Sequence, residues 1–294
     1  MPDLLKALRP GKVLVSDGAW GTFLHVKGLI PGECPEYWNL THPEEVYDIA
    51  ISYIRAGSDM IETNSFGGNR YKLRHYGLDD KVRELNREAA AISRKAAGDD
   101  HFVLGSIGPT GKILITGDIT QEELYECFRE QSTALEEGGA DAIIIETMSD
   151  LDEARIAVSA AKQHTFCTVI CTMTFERIAD GSFRTMMGVK PSDVPAILTK
   201  AGADILGSNC GNGTRDMIPI LKEFRSANPD IPLIIQGNAG VPKYLEGKTV
   251  FMESPEETAS FIPELIRNNV NIIGGCCGTT PEHIRLIRRE VNKF

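Results

Sequence analysis

A single alternation runs through the chain and limits what it can become. Eight short apolar runs are each followed by a longer amphipathic stretch. The runs are Val13–Asp17, Asp59–Thr63, Phe102–Ser106, Ala142–Thr147, Thr168–Thr174, Ile205–Asn209, Leu233–Gln236 and Asn271–Gly274. Most are almost continuously apolar, the pattern of parallel strands buried on both faces. The stretches Pro43–Ala56, Asp79–Ala97, Gln121–Glu137, Leu151–Lys162, Pro191–Ala201, Arg215–Ala227, Pro255–Asn268 and Pro281–Asn292 repeat at helical spacing. Thr120-Gln121-Glu122-Glu123 and Ser254-Pro255-Glu256-Glu257 read as capping boxes, and Thr41-His42-Pro43 sets a hydroxyl at a helix start. Helices stop at Ala56-Gly57, Gly138-Gly139 and Ala201-Gly202, and each of these junctions ends in an aspartate, Asp59, Asp141 or Asp204, that launches the next strand.

Eight strands alternating one-to-one with eight helices predict an α/β fold of the (β/α)8 TIM-barrel type. A doubly wound open sheet is the competing arrangement. No low-complexity segment or linker divides residues 1–294, so the whole chain reads as one barrel domain. Its length is that of a barrel of about 250 residues with extensions. The first strand-to-helix connection, Gly18 to His42, is unusually long, and long connections of this kind tend to be functional.

Charge narrows the partners. Asp and Glu total 41 against 31 Lys and Arg, a net charge of −10, which disfavours nucleic acid and anionic membranes. No run of about 18 apolar residues is long enough to span a bilayer. The opening MPDLLKALRPGK lacks the apolar core of a secretory signal, so a cytoplasmic protein is expected. Seven cysteines in such a chain point to metal binding or catalysis rather than to disulfides.

A barrel of this type puts its chemistry at the C-terminal ends of its strands. Those ends carry Asp17; Glu62, Thr63 and Asn64; Ser106; Glu146 and Thr147; Thr172 and Thr174; Asn209 and Cys210; Asn238; and Cys276 and Cys277. Apolar strands that all end in polar or thiol groups imply one convergent pocket. Three cysteines fall on this rim. Glycines beside Cys276 and Cys277 let the backbone leave strand geometry, so both sulfurs could turn inward beside Cys210. Two readings stay open on position alone: a three-thiolate zinc site with an open fourth position, or three small buried hydrophobes. On the first, a substrate thiol would bind as thiolate and attack an electrophilic carbon. Cys127, Cys167 and Cys171 read as core packing. Cys34, in the long first loop, either approaches the site or is incidental.

The ordered motifs resemble those of the homocysteine S-methyltransferase family along nearly the whole chain. They are Asp17-Gly18-Ala19-Trp20-Gly21-Thr22, Glu62-Thr63-Asn64-Ser65-Phe66, Gly105-Ser106-Ile107-Gly108-Pro109, Glu146-Thr147, Asn209-Cys210-Gly211, Asn238-Ala239-Gly240 and Gly274-Gly275-Cys276-Cys277-Gly278-Thr279-Thr280-Pro281. The resemblance is to a freestanding homocysteine-binding barrel like that of cobalamin-dependent methionine synthase. It implies one zinc ion per chain on Cys210, Cys276 and Cys277. It implies Glu146, assisted by Asp17, for the substrate ammonium, and the amides of Gly18 and Ala19 for its carboxylate. Asn238 would orient the site or fill the open zinc position. Glu62, Asn64, Ser106 and Thr147 would line the pocket.

The sequence departs from the family pattern after Cys210-Gly211, where it reads Asn212-Gly213-Thr214-Arg215, and at Thr185-Met186-Met187-Gly188-Val189-Lys190. Met186, Met187 and Lys190 therefore either reshape the pocket, meet a partner, or simply fill the surface. No Asp-x-His-x-x-Gly corrinoid motif occurs, so the methyl donor is expected from outside. The segment Gly67–Arg74 resembles the cobalamin-dependent branch and implies methylcobalamin on a separate corrinoid protein. S-methylmethionine, betaine, another thiol acceptor and a zinc barrel without turnover are the alternatives. Oligomeric state is not readable from the sequence.

Overall fold

The computed structural model describes residues 3–9, 11–245 and 248–294. The apolar runs form eight parallel strands: β1 (Leu14–Val15), β2 (Met60–Glu62), β3 (Phe102–Ile107), β4 (Ala142–Met148), β5 (Thr168–Met173), β6 (Ile205–Gly213), β7 (Leu233–Asn238) and β8 (Ile272–Gly275). They pair in the order β1-β8-β7-β6-β5-β4-β3-β2. Hydrogen bonds draw the seam between β1 and β2 together, two of them from main-chain N–H groups of β2 and of the residue just before it. Asp59 N–H donates to the Val15 carbonyl at 2.7 Å, and Glu62 N–H donates to the Asp17 carboxylate at 2.8 Å. The barrel is thus nearly closed, as the one-to-one alternation predicted. β1 is shorter than the expected Val13–Asp17, because Asp17 reaches β2 with its side chain rather than its main chain.

Side chains alternate across each strand, which explains why the runs are apolar throughout. Leu14, Met60, Leu104, Ile144, Ile170, Ile205, Ile234 and Ile272 pack in one cluster, joined by Leu4 from the short helix Leu4–Ala7. Their strand neighbours Val15, Ile61, Val103, Ile143, Val169, Leu206, Ile235 and Ile273 join the larger cluster formed with the helices. Gly207 is needed at the β6–β7 contact, since a Cβ there would lie 1.8 Å from the Ile234 carbonyl oxygen.

The helices that follow the strands are α1 (Pro43–Ala56), α2 (Val82–Ala97), α3 (Gln121–Glu137), α4 (Leu151–His164), α5 (Val194–Ala201), α6 (Thr214–Ala227), α7 (Pro255–Arg267) and α8 (Pro281–Val291). Both capping boxes form, at Thr120 and Ser254, and Gly57 and Gly202 end α1 and α5 in the left-handed conformation. Three expectations change. Thr41 does not cap α1; its hydroxyl donates back to the Tyr37 carbonyl at the end of a preceding helical turn, Trp38–Thr41, and His42 takes the cap position. α2 starts at Val82 rather than Asp79, whose carboxylate instead pairs with Arg74. Residues Pro191–Asp193 form a turn of 3₁₀ helix ahead of α5. No helix among the described residues is long and apolar enough to cross a membrane.

The recurring aspartates explain how neighbouring strands are tied at their N-terminal ends. Asp59, Asp141 and Asp204 accept the N–H of Val15, Val103 and Val169 at 2.7, 2.8 and 2.8 Å, and they pair with Arg288, Arg94 and Lys162. Asn271 repeats the device neutrally, accepting Leu233 N–H at 2.8 Å and an N–H of Arg225 at 3.3 Å. Asp141 is the most enclosed of the three acids. Asp141→Ala, which leaves the Val103 N–H without its acceptor and Arg94 without its carboxylate partner, should lower stability by about 3 kcal/mol. Asp204→Ala, whose partner Lys162 is exposed, should cost about 1–2 kcal/mol. Urea-unfolding midpoints of the two variants check the order; equal losses would contradict it.

Candidate active site

Above this apolar interior the strand ends turn polar, and there the chain encloses a cavity of about 290 Å³. Its walls include Gly18, Ala19, Glu62, Asn64, Ser106, Glu146, Thr147, Cys210, Cys276 and Cys277. Ten of the twelve residues singled out from the sequence thus line one space; Asp17 and Asn238 stand behind it. The long first connection supplies Trp20, Leu24, Pro35 and Glu36 to the same wall. It is held there by Glu36, which accepts Gly67 N–H at 2.6 Å, and by Asn64, which donates to the Pro35 carbonyl at 2.7 Å and to Asn39 at 3.0 Å.

The three rim cysteines converge. Their sulfurs lie within 4.8 Å of one another, and Cys210 and Cys277 are 3.9 Å apart. Two backbone irregularities bring this about. Cys210 has φ +58°, inside a shifted stretch of the β6–β7 pairing between Asn209 and Gly213. β8 ends at Gly275, and the chain then turns through Cys276 and Cys277 to Gly278, at φ +79°. Turn bonds fix this path: Cys276 N–H donates to the Gly237 carbonyl at 2.8 Å, and Thr279 N–H to that of Cys276 at 3.1 Å. Hydrogen bonds from Cys276 and Cys277 pull the Cys210 thiol down to about 3, and the same bonds push the other two up. The three sulfurs thus share their protons unequally, and a bound cation would release those that remain.

Asn238 belongs to this corner. Its side chain favours the Cys210 thiolate, while its buried Oδ1 finds no partner. A buried carbonyl oxygen without a donor beside three sulfurs fits a metal ion, and a soft S3 set with one oxygen suits zinc. Among the described residues no other group of three or more His, Cys, Asp and Glu converges in this way.

The opposite side of the cavity is acidic. Glu146 is buried; Ser106 O–H donates to it at 2.5 Å and Asn209 Nδ2 at 3.0 Å. Burial, opposed by the Ser106 bond, raises its pKa to about 7. Glu62 hydrogen-bonds to Glu146 and receives Gln236 Nε2 at 2.7 Å; burial and then the Glu146 charge push its pKa well above the ordinary range. Asp17 accepts from Trp20 Nε1 at 2.8 Å and from the Glu62 main chain, and burial lifts it to about 6. Three acids meet here with no Lys or Arg in the cavity wall, so a cationic ligand group would complete the charge. Ala19 N–H, expected to meet a carboxylate, is engaged with Thr279 Oγ1 at 3.1 Å.

Other expectations resolve by position. Cys34 is buried off the cavity, its thiol donating to Glu36 at 3.3 Å and raised to about 12 by burial. Cys127, Cys167 and Cys171 are buried and likewise raised, consistent with packing. Met186, Met187 and Lys190 are exposed and do not line the cavity. Sequence reasoning passed over Gln236, although a lone amide ending the apolar run Leu233–Gln236 was a visible signal, and it passed over Glu36, which only the folded first loop brings in.

A model of the family described as homocysteine S-methyltransferase matches residues 14–291. Two methionine synthases are similar over 98% of this chain, at 32% identity in Mycobacterium leprae and 33% in Mycobacterium tuberculosis. The chain spans 25% of the length of each of these relatives. Among solved structures, the metallated form of the homocysteine methyltransferase MmuM from Escherichia coli superposes with a TM-score of 0.80 at 23% identity, over 98% of this chain and 99% of that one. A methyltransferase from Methanosarcina mazei shares the fold at 13% identity, with a TM-score of 0.63.

Proposed function

The chain belongs to the homocysteine S-methyltransferase family, and on that premise we propose that it transfers a methyl group to the thiolate of homocysteine to form methionine. The observation that carries the reading is the facing of two unlike walls across one cavity: three convergent sulfurs on one side and buried Glu146 on the other. Homocysteine carries a thiol and an ammonium group joined through a short carbon chain, and the two walls offer each of them a partner.

Cys210, Cys276 and Cys277 would hold one zinc ion, with Asn238 Oδ1 at hand for the open position. The chemistry zinc supplies when bound is a lowered thiol pKa, so that the substrate sulfur is a thiolate at neutral pH. The chain's own groups do the rest. Glu146 receives the substrate ammonium, steadied by Ser106 and Asn209. Glu62 holds a proton toward Glu146, so the pair presents about one negative charge to one positive charge. Asp17 fixes Trp20 and the β2 end behind them. Trp20, Leu24 and Phe66 supply apolar wall that excludes water from the reacting sulfur. The new sulfur–carbon bond forms as the donor's bond to that carbon breaks.

For the donor we propose a methylcorrinoid carried on a separate protein. The support is the segment Gly67–Arg74 together with the higher identity to the methionine synthases than to the solved homocysteine methyltransferase. A small donor such as S-methylmethionine or betaine is the second reading. The test is an assay of the purified zinc-loaded protein with homocysteine and each of methylcobalamin, S-methylmethionine and betaine. Methionine should form with methylcobalamin. Formation only with a small donor moves the donor assignment, and no methionine with any of the three would overturn the homocysteine reading.

A further inference from the structure

One buried side chain touches both walls of the cavity without lining it. Asn209 precedes Cys210 at the end of β6 and is wholly enclosed. Its Nδ2 lies 3.0 Å from Glu146 Oε2, 2.7 Å from Thr147 Oγ1 and 3.9 Å from Cys276 Sγ. Its Oδ1 accepts Thr147 N–H and Thr172 O–H, both at 2.8 Å. A main-chain N–H is a donor whatever the side chains do, so it decides which end of the amide is the oxygen. The amide's two hydrogens thereby face three acceptors: Thr147 Oγ1 nearest, then Glu146, with Cys276 Sγ at the outer reach of a hydrogen bond to sulfur. Thr147, at φ +61°, is held in its uncommon conformation by the same two contacts with Asn209.

We propose that Asn209 is a positioning residue that couples recognition of the substrate's amino group to the state of the metal-binding sulfur, by donating from one carboxamide to Glu146 and toward Cys276. The inference rests on the roles proposed above for Glu146 and the three cysteines. The carboxamide is the suitable chemistry. Both targets are anionic when the site is loaded, so the shared neighbour must be a donor without charge. An aspartate would keep the two bonds to Oδ1 and turn a bare oxygen toward two anions. Groups that orient a ligand from behind commonly change affinity by about 10–100-fold when removed.

The test is Asn209→Asp, nearly isosteric, with Thr172→Val as a milder variant that removes one of the ties orienting the amide. Both are loaded with cobalt(II) in place of zinc. Affinities are measured for homocysteine and for 4-mercaptobutanoate, which is homocysteine without its amino group. A change of general structure weakens both thiols alike. The proposal expects Asn209→Asp to weaken homocysteine by about 10–100-fold and 4-mercaptobutanoate by much less. It also expects the sulfur-to-cobalt absorption band to shift. Thr172→Val should give the same pattern at smaller amplitude, and it decides the matter should Asn209→Asp fail to fold. A ratio of the two affinities that stays at its wild-type value in the folded variant overturns the proposal. Wild-type protein that takes up no cobalt, or that does not prefer homocysteine, would instead overturn the functional reading on which it rests.

Discussion

Cys276→Ser should release the metal. The wild-type protein purified under reducing conditions is expected to carry about one zinc per chain, and the variant close to none. A serine hydroxyl is far too weak an acid to serve as an anionic ligand at neutral pH, so a three-sulfur set becomes a two-sulfur set. Cys276 is also one of the two thiols that donate to Cys210, so its loss removes part of what holds the Cys210 sulfur anionic. The fold should survive, because the turn through residues 276–279 is fixed by main-chain bonds and by Thr279, not by the sulfur. Methionine formation should fall by a factor on the order of 10³, since thiol activation and placement of the sulfur are lost together. Metal analysis and circular dichroism on the same sample separate loss of the ion from loss of the fold. A folded Cys276→Ser protein that still holds stoichiometric zinc would remove the metal site from the mechanism.

The second large effect has two signs in one variant. Glu146→Gln should make the ligand-free protein more stable at neutral pH and nearly abolish homocysteine binding. Burial raises the Glu146 pKa from 4.5 to about 7. A raised carboxyl binds its proton more tightly in the folded chain than in the unfolded one. It therefore favours folding fully below pH 4.5, and the benefit is lost as pH rises from there through about 7. The gap between 4.5 and about 7 corresponds to about 3 kcal/mol, an upper figure because the substituted amide would present an N–H₂ to the donor Asn209. The melting temperature of Glu146→Gln should thus exceed wild type at about pH 7.5, with the difference vanishing near about pH 5. Homocysteine affinity should fall about 30-fold or more, since the substrate ammonium loses the carboxylate proposed to receive it. A variant no more stable than wild type at neutral pH, or one that binds homocysteine unchanged, would show that Glu146 is neither strained by its burial nor the ammonium partner.

These two results would explain why the acids are tolerated. Glu62, Glu146 and Asp17 are each raised by burial, with no basic side chain in the cavity wall to relieve them. Ligand-free protein carries that cost, and a substrate ammonium would offset it. Stability is thus held back at the cavity, while the Asp141–Arg94 and Asp59–Arg288 ties hold the opposite end of the barrel. A fold with its buried acids at one end of the strands and its fastenings at the other can tolerate the strain.

Much of this was legible in the residues. The eight apolar runs marked the strands, because a strand buried on both faces has no polar position to spare; Leu14 and Val15, or Ile144 and Ile145, face different cores and must both be apolar. The capping boxes at Thr120 and Ser254 were readable because they are satisfied within a single helical turn. The polar strand ends named most of the cavity wall, since in a barrel all those ends meet at one mouth. Thr41 misled because its hydroxyl can either accept a helix-start N–H or donate back to the Tyr37 carbonyl, and helical propensity does not decide such a choice.

What the sequence could not contain is everything set by contacts across the barrel. That Cys210 reaches the distant Cys276 and Cys277 depends on a positive φ at Cys210 and a shifted register on β6, which no local pattern specifies. That Asp17 closes the β1–β2 seam, that Glu36 comes down from the first loop, and that Asn209 spans from Glu146 to Cys276 are likewise facts of closure. The sequence determined the repeating element and the chemistry placed at each strand end, because both are local. Only the closed barrel decided which of those ends touch, because hydrogen-bond geometry over a few ångströms is set by packing summed around the whole ring.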